Sequence, residues 1–158
     1  MKRFSVAAAL TAALLTSACV SAGADTTAPE PGVSFNTGQP IAGQTLPFSR
    51  AVRVGHMLYL SGELGIDPAT NSLVAGGVGP ETAQIFRNYE RTLAEYGADL
   101  SDIVKCSVFL GDMTNYGVMN TAYGAALPDP KPARSTVGVN GLGFNAALEI
   151  ECIAVLRE

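Results

Sequence analysis

The sequence is short of the residues that build metal centres and catalytic triads. It carries one histidine, His56, and three widely spaced cysteines, Cys19, Cys106 and Cys152. That excludes a histidine-based zinc site of ordinary spacing and a disulfide-stapled framework. Any Ser-His-Asp or Cys-His triad would have to use His56. Only 15% of the residues are charged, and ten Lys and Arg stand against fourteen Asp and Glu. Without a basic surplus, a nucleic-acid partner is not expected. What is present is apolar mass: 47% of the 158 residues are hydrophobic, enough to bury one core and too many for a disordered chain.

The first residues read as an export signal. Lys2 and Arg3 precede an apolar run from Phe4 to Leu15, and Thr16-Ser-Ala18 leads into Cys19. The run is too short to span a bilayer as a stable helix. Leu15-Thr-Ser-Ala-Cys19 is similar to a bacterial lipobox, which would make Cys19 the lipidated first residue of a periplasmic protein anchored to the membrane. Ala22-Gly-Ala24 offers a rival cleavage site that releases a soluble form. The expected layout is a signal peptide over 1–18, a Pro- and Gly-rich tether over 19–46 with little burial, and one folded domain over 47–158. Cys106 and Cys152 lie inside apolar runs, as buried thiols do. A disulfide between them requires neighbouring strands.

Within the domain, Ala51–Val54 and Met57–Ser61 flank a Gly-His turn and predict a β-hairpin. Gly65–Asn71 predicts a loop. Pro80 is expected in the first helical position of a helix that Gly97 ends, with Phe86, Tyr89, Leu93 and Tyr96 on one face. Val104, Cys106, Val108 and Leu110 alternate as one side of a strand. Thr114 is positioned to cap a second helix burying Tyr116, Met119, Tyr123 and Leu127, which the prolines at 128, 130 and 132 terminate. Residues 135–139 and 148–156 predict two more strands. The order ββ-α-β-α-ββ implies an α+β domain with a mixed sheet and both helices on one face.

Three groupings could carry chemistry. Arg134, in Pro132-Ala-Arg-Ser135, presents a guanidinium fork that suits a small carboxylate, or else a surface ion pair. Glu149 shares a side of its strand with Glu151 and could polarise a water, or simply face solvent. A hairpin turning at Gly141-Leu142 would set Arg134 opposite Glu149. Gly76-Gly-Val-Gly79 ahead of a helix invites comparison with a phosphate cradle. It lacks the Lys-Ser/Thr that such a loop needs and reads as a flexible loop.

Residues 47–158 resemble the RidA (YjgF-type) family of enamine/imine deaminases. The resemblance rests on Pro47-Phe-Ser-Arg-Ala-Val, Leu60-Ser-Gly-Glu-Leu-Gly, Ile103-Val-Lys-Cys-Ser-Val-Phe-Leu, Met119-Asn-Thr-Ala-Tyr, Pro132-Ala-Arg-Ser-Thr-Val and Leu148-Glu-Ile-Glu-Cys-Ile-Ala. It implies a chorismate-mutase-like fold and a homotrimer with clefts between subunits. It also implies hydrolysis of small 2-imino and enamine acids to 2-oxo acids and ammonia, with no metal or organic cofactor. Arg134 matches the family's carboxylate-binding arginine and Glu149 the water-positioning glutamate. Ser61, Gly62, Asn120 and Thr136 match cleft positions, Thr136 standing where many members have cysteine. Phe48 replaces a tyrosine, Glu63 a glutamine and Gly138 a common glutamate. Those departures leave a non-catalytic trimeric ligand-binding module of the cell envelope as the alternative.

Overall fold

The computed structural model describes residues 32–38 and 45–157. The expected signal peptide, its cleavage sites and Cys19 lie outside the described residues. Strands β1 (Val33–Asn36), β2 (Ala51–Val54), β3 (Met57–Leu64), β6 (Ile103–Leu110), β7 (Ala133–Gly138) and β8 (Leu148–Val155) form a six-stranded sheet in the order β1-β2-β3-β8-β6-β7. All neighbours run antiparallel except β6 and β7, which are parallel. A small hairpin of β4 (Ile66–Asp67) and β5 (Ser72–Leu73) occupies the expected loop. Helices α1 (Val78–Ala94) and α2 (Tyr116–Ala126) pack on one face of the sheet. This is the expected α+β class.

The core follows from the two periodicities. Leu58 and Leu60 on β3, Val108 and Leu110 on β6, and Leu148, Ile150 and Ala154 on β8 point at the helices every second residue. Ile85, Phe86, Tyr89 and Leu93 of α1 and Met119 and Tyr123 of α2 meet them from above. Gly97 takes φ +68° just past α1, the left-handed conformation that ends helices. On the other face of the sheet, Tyr59 and Val155 are exposed and Val52, Phe109 and Ile153 only half-buried, so apolar side chains there stay uncovered within one chain.

Several local expectations need correction. Val33–Asn36 lies in the stretch read as tether, yet it pairs with β2 as an exposed edge strand. Pro80 is the third residue of α1, not the first, because the helix starts at Val78. The second helix is led in by a short 3-10 turn, Met113–Asn115, capped by the Asp112 carboxylate, which accepts from the Thr114 N–H at 2.9 Å. Thr114 is therefore capped rather than capping, and Tyr116 is exposed. Val104 points outward because the β6–β8 register slips between Ile103 and Lys105, and Ile103 is buried in its place.

The largest correction concerns the C-terminal pair of strands. β7 and β8 are not a hairpin: β6 lies between them, and the Gly-rich linker crosses over it. The same arrangement makes β6 and β8 neighbours, with Cys106 directly opposite Cys152. The two are joined in a disulfide across a Cα separation of 4.1 Å. It closes a loop of 46 residues, so it restricts the unfolded chain substantially. Replacing both cysteines with alanine is expected to lower the unfolding free energy by about 2–4 kcal/mol, read from the urea midpoint.

Candidate functional site

The residues singled out from the sequence form two groups, on opposite faces of the sheet. Arg134 is in register with Cys106, which is in register with Cys152, so all three side chains share the helix face. Glu149, an odd number of residues from Cys152, points to the other face. Within one chain, Arg134 and Glu149 therefore do not meet.

The first group is built by β7 and α2. Arg134 Nη2 donates to Asn120 Oδ1 at 2.7 Å and to the Tyr116 hydroxyl at 3.0 Å. The guanidinium carbon lies 4.6 Å from the centroid of the Tyr123 ring and 5.7 Å from that of Tyr116. Tyr116, Asn120 and Tyr123 repeat at spacings of four and three, so one helical face presents them all. Two aromatic faces and an amide oxygen hold the cation without neutralising it. The ion pairs among the described residues are Arg50–Glu63, Lys131–Asp129 and Arg157–Asp102; Arg134 is in none of them. Thr136, two residues along the same strand face, has a buried hydroxyl without a partner among the described residues, as does Tyr123. A guanidinium without a carboxylate partner, beside two unpartnered hydroxyls, is an arrangement that can take up an anion. The structure places Asn120 against Arg134 and Thr136 on the same strand face; the contacts of Tyr116 and Tyr123 with Arg134 were not anticipated. Their helical spacing with Asn120 was the available signal, but it read as a plain apolar face.

The second group is built around a bulge in β3. Leu60 pairs with Cys152 and Glu63 with Ile150, so Ser61 and Gly62 together oppose Glu151 alone. The bulge frees two carbonyls from the ladder. The buried Tyr89 hydroxyl lies between them, 2.9 Å from the Ser61 carbonyl and closer still to that of Ile150. Ser61 also donates its hydroxyl to the Ser49 carbonyl at 2.6 Å, tying down the chain that carries Phe48. Gly62 leaves room for the Glu149 carboxylate. A Cβ on residue 62 would stand 1.8 Å from Glu149 Oε1, so any other residue there would push the carboxylate out of this seat.

Glu149 thus sits at one end of a cavity of about 280 Å³ walled by Phe48, Gly62, Leu64 and Phe144. Burial in this apolar setting pushes its carboxyl above the usual glutamate range, and the nearby Glu151 charge pushes the same way. Glu63 behaves differently from what its charge alone suggests. The bulge turns it inward under α1, where Asn88 donates to Oε1 at 3.0 Å and Arg50 Nη2 approaches Oε2 at 3.7 Å. Burial raises its pKa, and Arg50 and Asn88 partly offset that rise. No three of His, Cys, Asp and Glu converge as metal ligands among the described residues.

The chain as a whole has relatives among known proteins. Residues 41–156 match the family model described as Endoribonuclease L-PSP. A 2-iminobutanoate/2-iminopropanoate deaminase of Dermatophagoides farinae is 40% identical over 119 residues, 75% of this chain and 93% of that protein. The chloroplastic Reactive Intermediate Deaminase A of Arabidopsis thaliana is 40% identical over 110 residues, 70% of this chain and 59% of that protein. Among solved structures, RidA from an Antarctic Psychrobacter is 35% identical with a TM-score of 0.70, over 77% of this chain and 99% of that one. The YjgF gene product of E. coli is 30% identical with a TM-score of 0.70, over 78% and 100%. With a family model spanning nearly the whole folded domain and relatives this similar across it, the chain belongs to the RidA/YjgF (Endoribonuclease L-PSP) family.

Proposed function

We propose that this protein is an enzyme that hydrolyses reactive 2-imino acids, and their enamine tautomers, to 2-oxo acids and ammonia. The observation that carries the reading is the pair of incomplete half-sites: an un-neutralised guanidinium held by aromatics, and a carboxylate with a raised pKa at the end of an apolar cavity. Relatives named as deaminases of this class support it.

The two halves face away from each other in one chain, so the reading needs a second copy. The uncovered apolar sheet face offers a surface for self-association, and β7 with Arg134 lies at the sheet edge where a neighbour can approach. In a closed homotrimer, Arg134 of one protomer would complete the cavity of the next, giving three equivalent sites.

The chemistry then follows. Arg134, aligned by Asn120 and Tyr116, binds the substrate carboxylate and fixes the imine carbon. Glu149 accepts a proton from a water as its oxygen adds to that carbon. Glu149 passes that proton to nitrogen, giving the carbinolamine; the new hydroxyl's proton then moves by way of Glu149 to the amine as the C=O forms and the C–N bond breaks, and ammonia and the 2-oxo acid leave. The imine carbon is already electrophilic, so the protein's task is placement and proton movement. Phe48 in place of a tyrosine makes the cavity wall apolar without removing either group.

We propose also that the chain is exported, anchored through Cys19 or released after Ala24. The core disulfide supports this, since such bonds persist in oxidising compartments. Mass spectrometry of the mature N-terminus is expected to show a diacylglyceryl-modified Cys19 or a free Asp25; an intact Met1 overturns the export reading.

Arg134→Ala is expected to abolish turnover of freshly generated 2-iminopropanoate, followed by semicarbazide competition, while the oligomer survives in light scattering. Glu149→Gln is expected to lower kcat by about 100-fold, the usual worth of a general base. Activity requires ionised Glu149, so kcat/KM should fall as pH drops through its raised pKa. Glu151→Gln removes one cause of that rise, and the acid limb of the pH profile should move to lower pH.

A further inference from the structure

Beside the Glu149 cavity lies a second one of about 120 Å³, and the two share Phe48, Gly62, Glu63 and Ile66 as walls. Leu46 is a further shared wall, and the rest of the lining sets the cations Arg50 and Arg91 and the amides Asn71 and Asn88 beside the neutral Thr37, Ser61 and Pro68. Two guanidinium groups stand against one carboxylate there, so the chamber is electropositive. Glu63 is already held by Asn88 and by Arg50 at long range, which leaves the arginines under-used. Arg50 Nε is buried and reaches no acceptor among the described residues. Arg91 is exposed on α1 and belongs to none of the ion pairs among the described residues. A buried donor without an acceptor is costly, and a ligand oxygen would relieve it.

We propose that this chamber receives a second carboxylate, making dicarboxylic 2-imino acids the preferred substrates. The inference rests on the deaminase reading above. The α-carboxylate would sit on Arg134 of the neighbouring protomer and the imine carbon beside Glu149. An arm of one or two methylenes would pass over Gly62 and place its terminal carboxylate between Arg50 and Arg91. Gly62 serves both chambers because it is the wall they share. The Arg50–Glu63 pair keeps the chamber from becoming a general anion trap, since Glu63 repels an anion that enters without reaching the arginine fork.

Binding of stable 2-oxo acids tests the chamber without relying on turnover. By isothermal titration, 2-oxoglutarate is expected to bind at least about fivefold more tightly than 2-oxobutanoate, which is roughly the 1 kcal/mol of one partly exposed charge pair. Arg91→Gln, an exposed change that folding should tolerate, is expected to erase most of that advantage. The double variant Arg50→Gln/Glu63→Gln removes both members of the pair together and should do the same. Equal affinities in the wild type, or an advantage undiminished in Arg91→Gln, overturn the proposal. Turnover of 2-iminobutanoate and 2-iminoglutarate, each made by an amino-acid oxidase, separates the two readings. Hydrolysis of both with no diacid preference sinks the chamber alone. No hydrolysis of either, with the binding advantage intact, sinks the deaminase reading and leaves the chamber standing.

Discussion

The contact between the Glu149 carboxylate and the bare Cα of Gly62 organises the rest of the site. It exists because β3 carries one residue too many against β8. The surplus turns Glu63 beneath α1, opens a seat for Glu149, and exposes two carbonyls that the ladder no longer serves. Tyr89 answers those carbonyls from the helix layer, which is why a phenol is buried where another leucine would pack as well. A defect in hydrogen-bond pairing has been turned into a receptacle, and its cost is met by one hydroxyl in the core.

Much of this was legible in the sequence, and the exceptions have physical reasons. Alternation exposed the strands around Val108 and Ile150, and helical spacing exposed the face of α1, because these signals reflect local geometry alone. Strand order was not legible. A short Gly-rich connection between two strands usually makes a hairpin, and only packing reveals that β6 occupies the intervening place. Both bulges were invisible for the same reason: a slipped register is a relation between strands, not a property of one. The edge strand at Val33–Asn36 was hidden by the prolines and glycines around it. Arg134 and Glu149 were singled out by side-chain chemistry and then by family resemblance; the hairpin argument offered for their proximity fails within one chain.

Charge pairing shows how a site absorbs changes of residue type. Glu63 stands where the family resemblance implies a glutamine, and so adds a negative charge. The structure sets Arg50 beside it, so the two are read together as one neutral unit with a spare donor. Glu63 alone would be a buried charge without a partner, which is far more costly than the pair is beneficial. The meaning of a substitution in such a place is held jointly by positions thirteen residues apart.

The parallel pairing of β6 with β7 has a consequence for how the molecule is assembled. A parallel neighbour cannot be reached by a tight turn, so the chain must climb over the sheet, and α2 is that crossing. The helix that carries the chain to β7 is therefore the one whose side chains grip the guanidinium on arrival. Guanidinium and clamp form a single contiguous cassette from Tyr116 to Thr136, whereas the Glu149 seat gathers segments from across the whole domain. Exchange of that cassette between relatives would transplant the arginine with its holders as one unit, while the Glu149 seat can be altered only by coordinated change in distant stretches of chain.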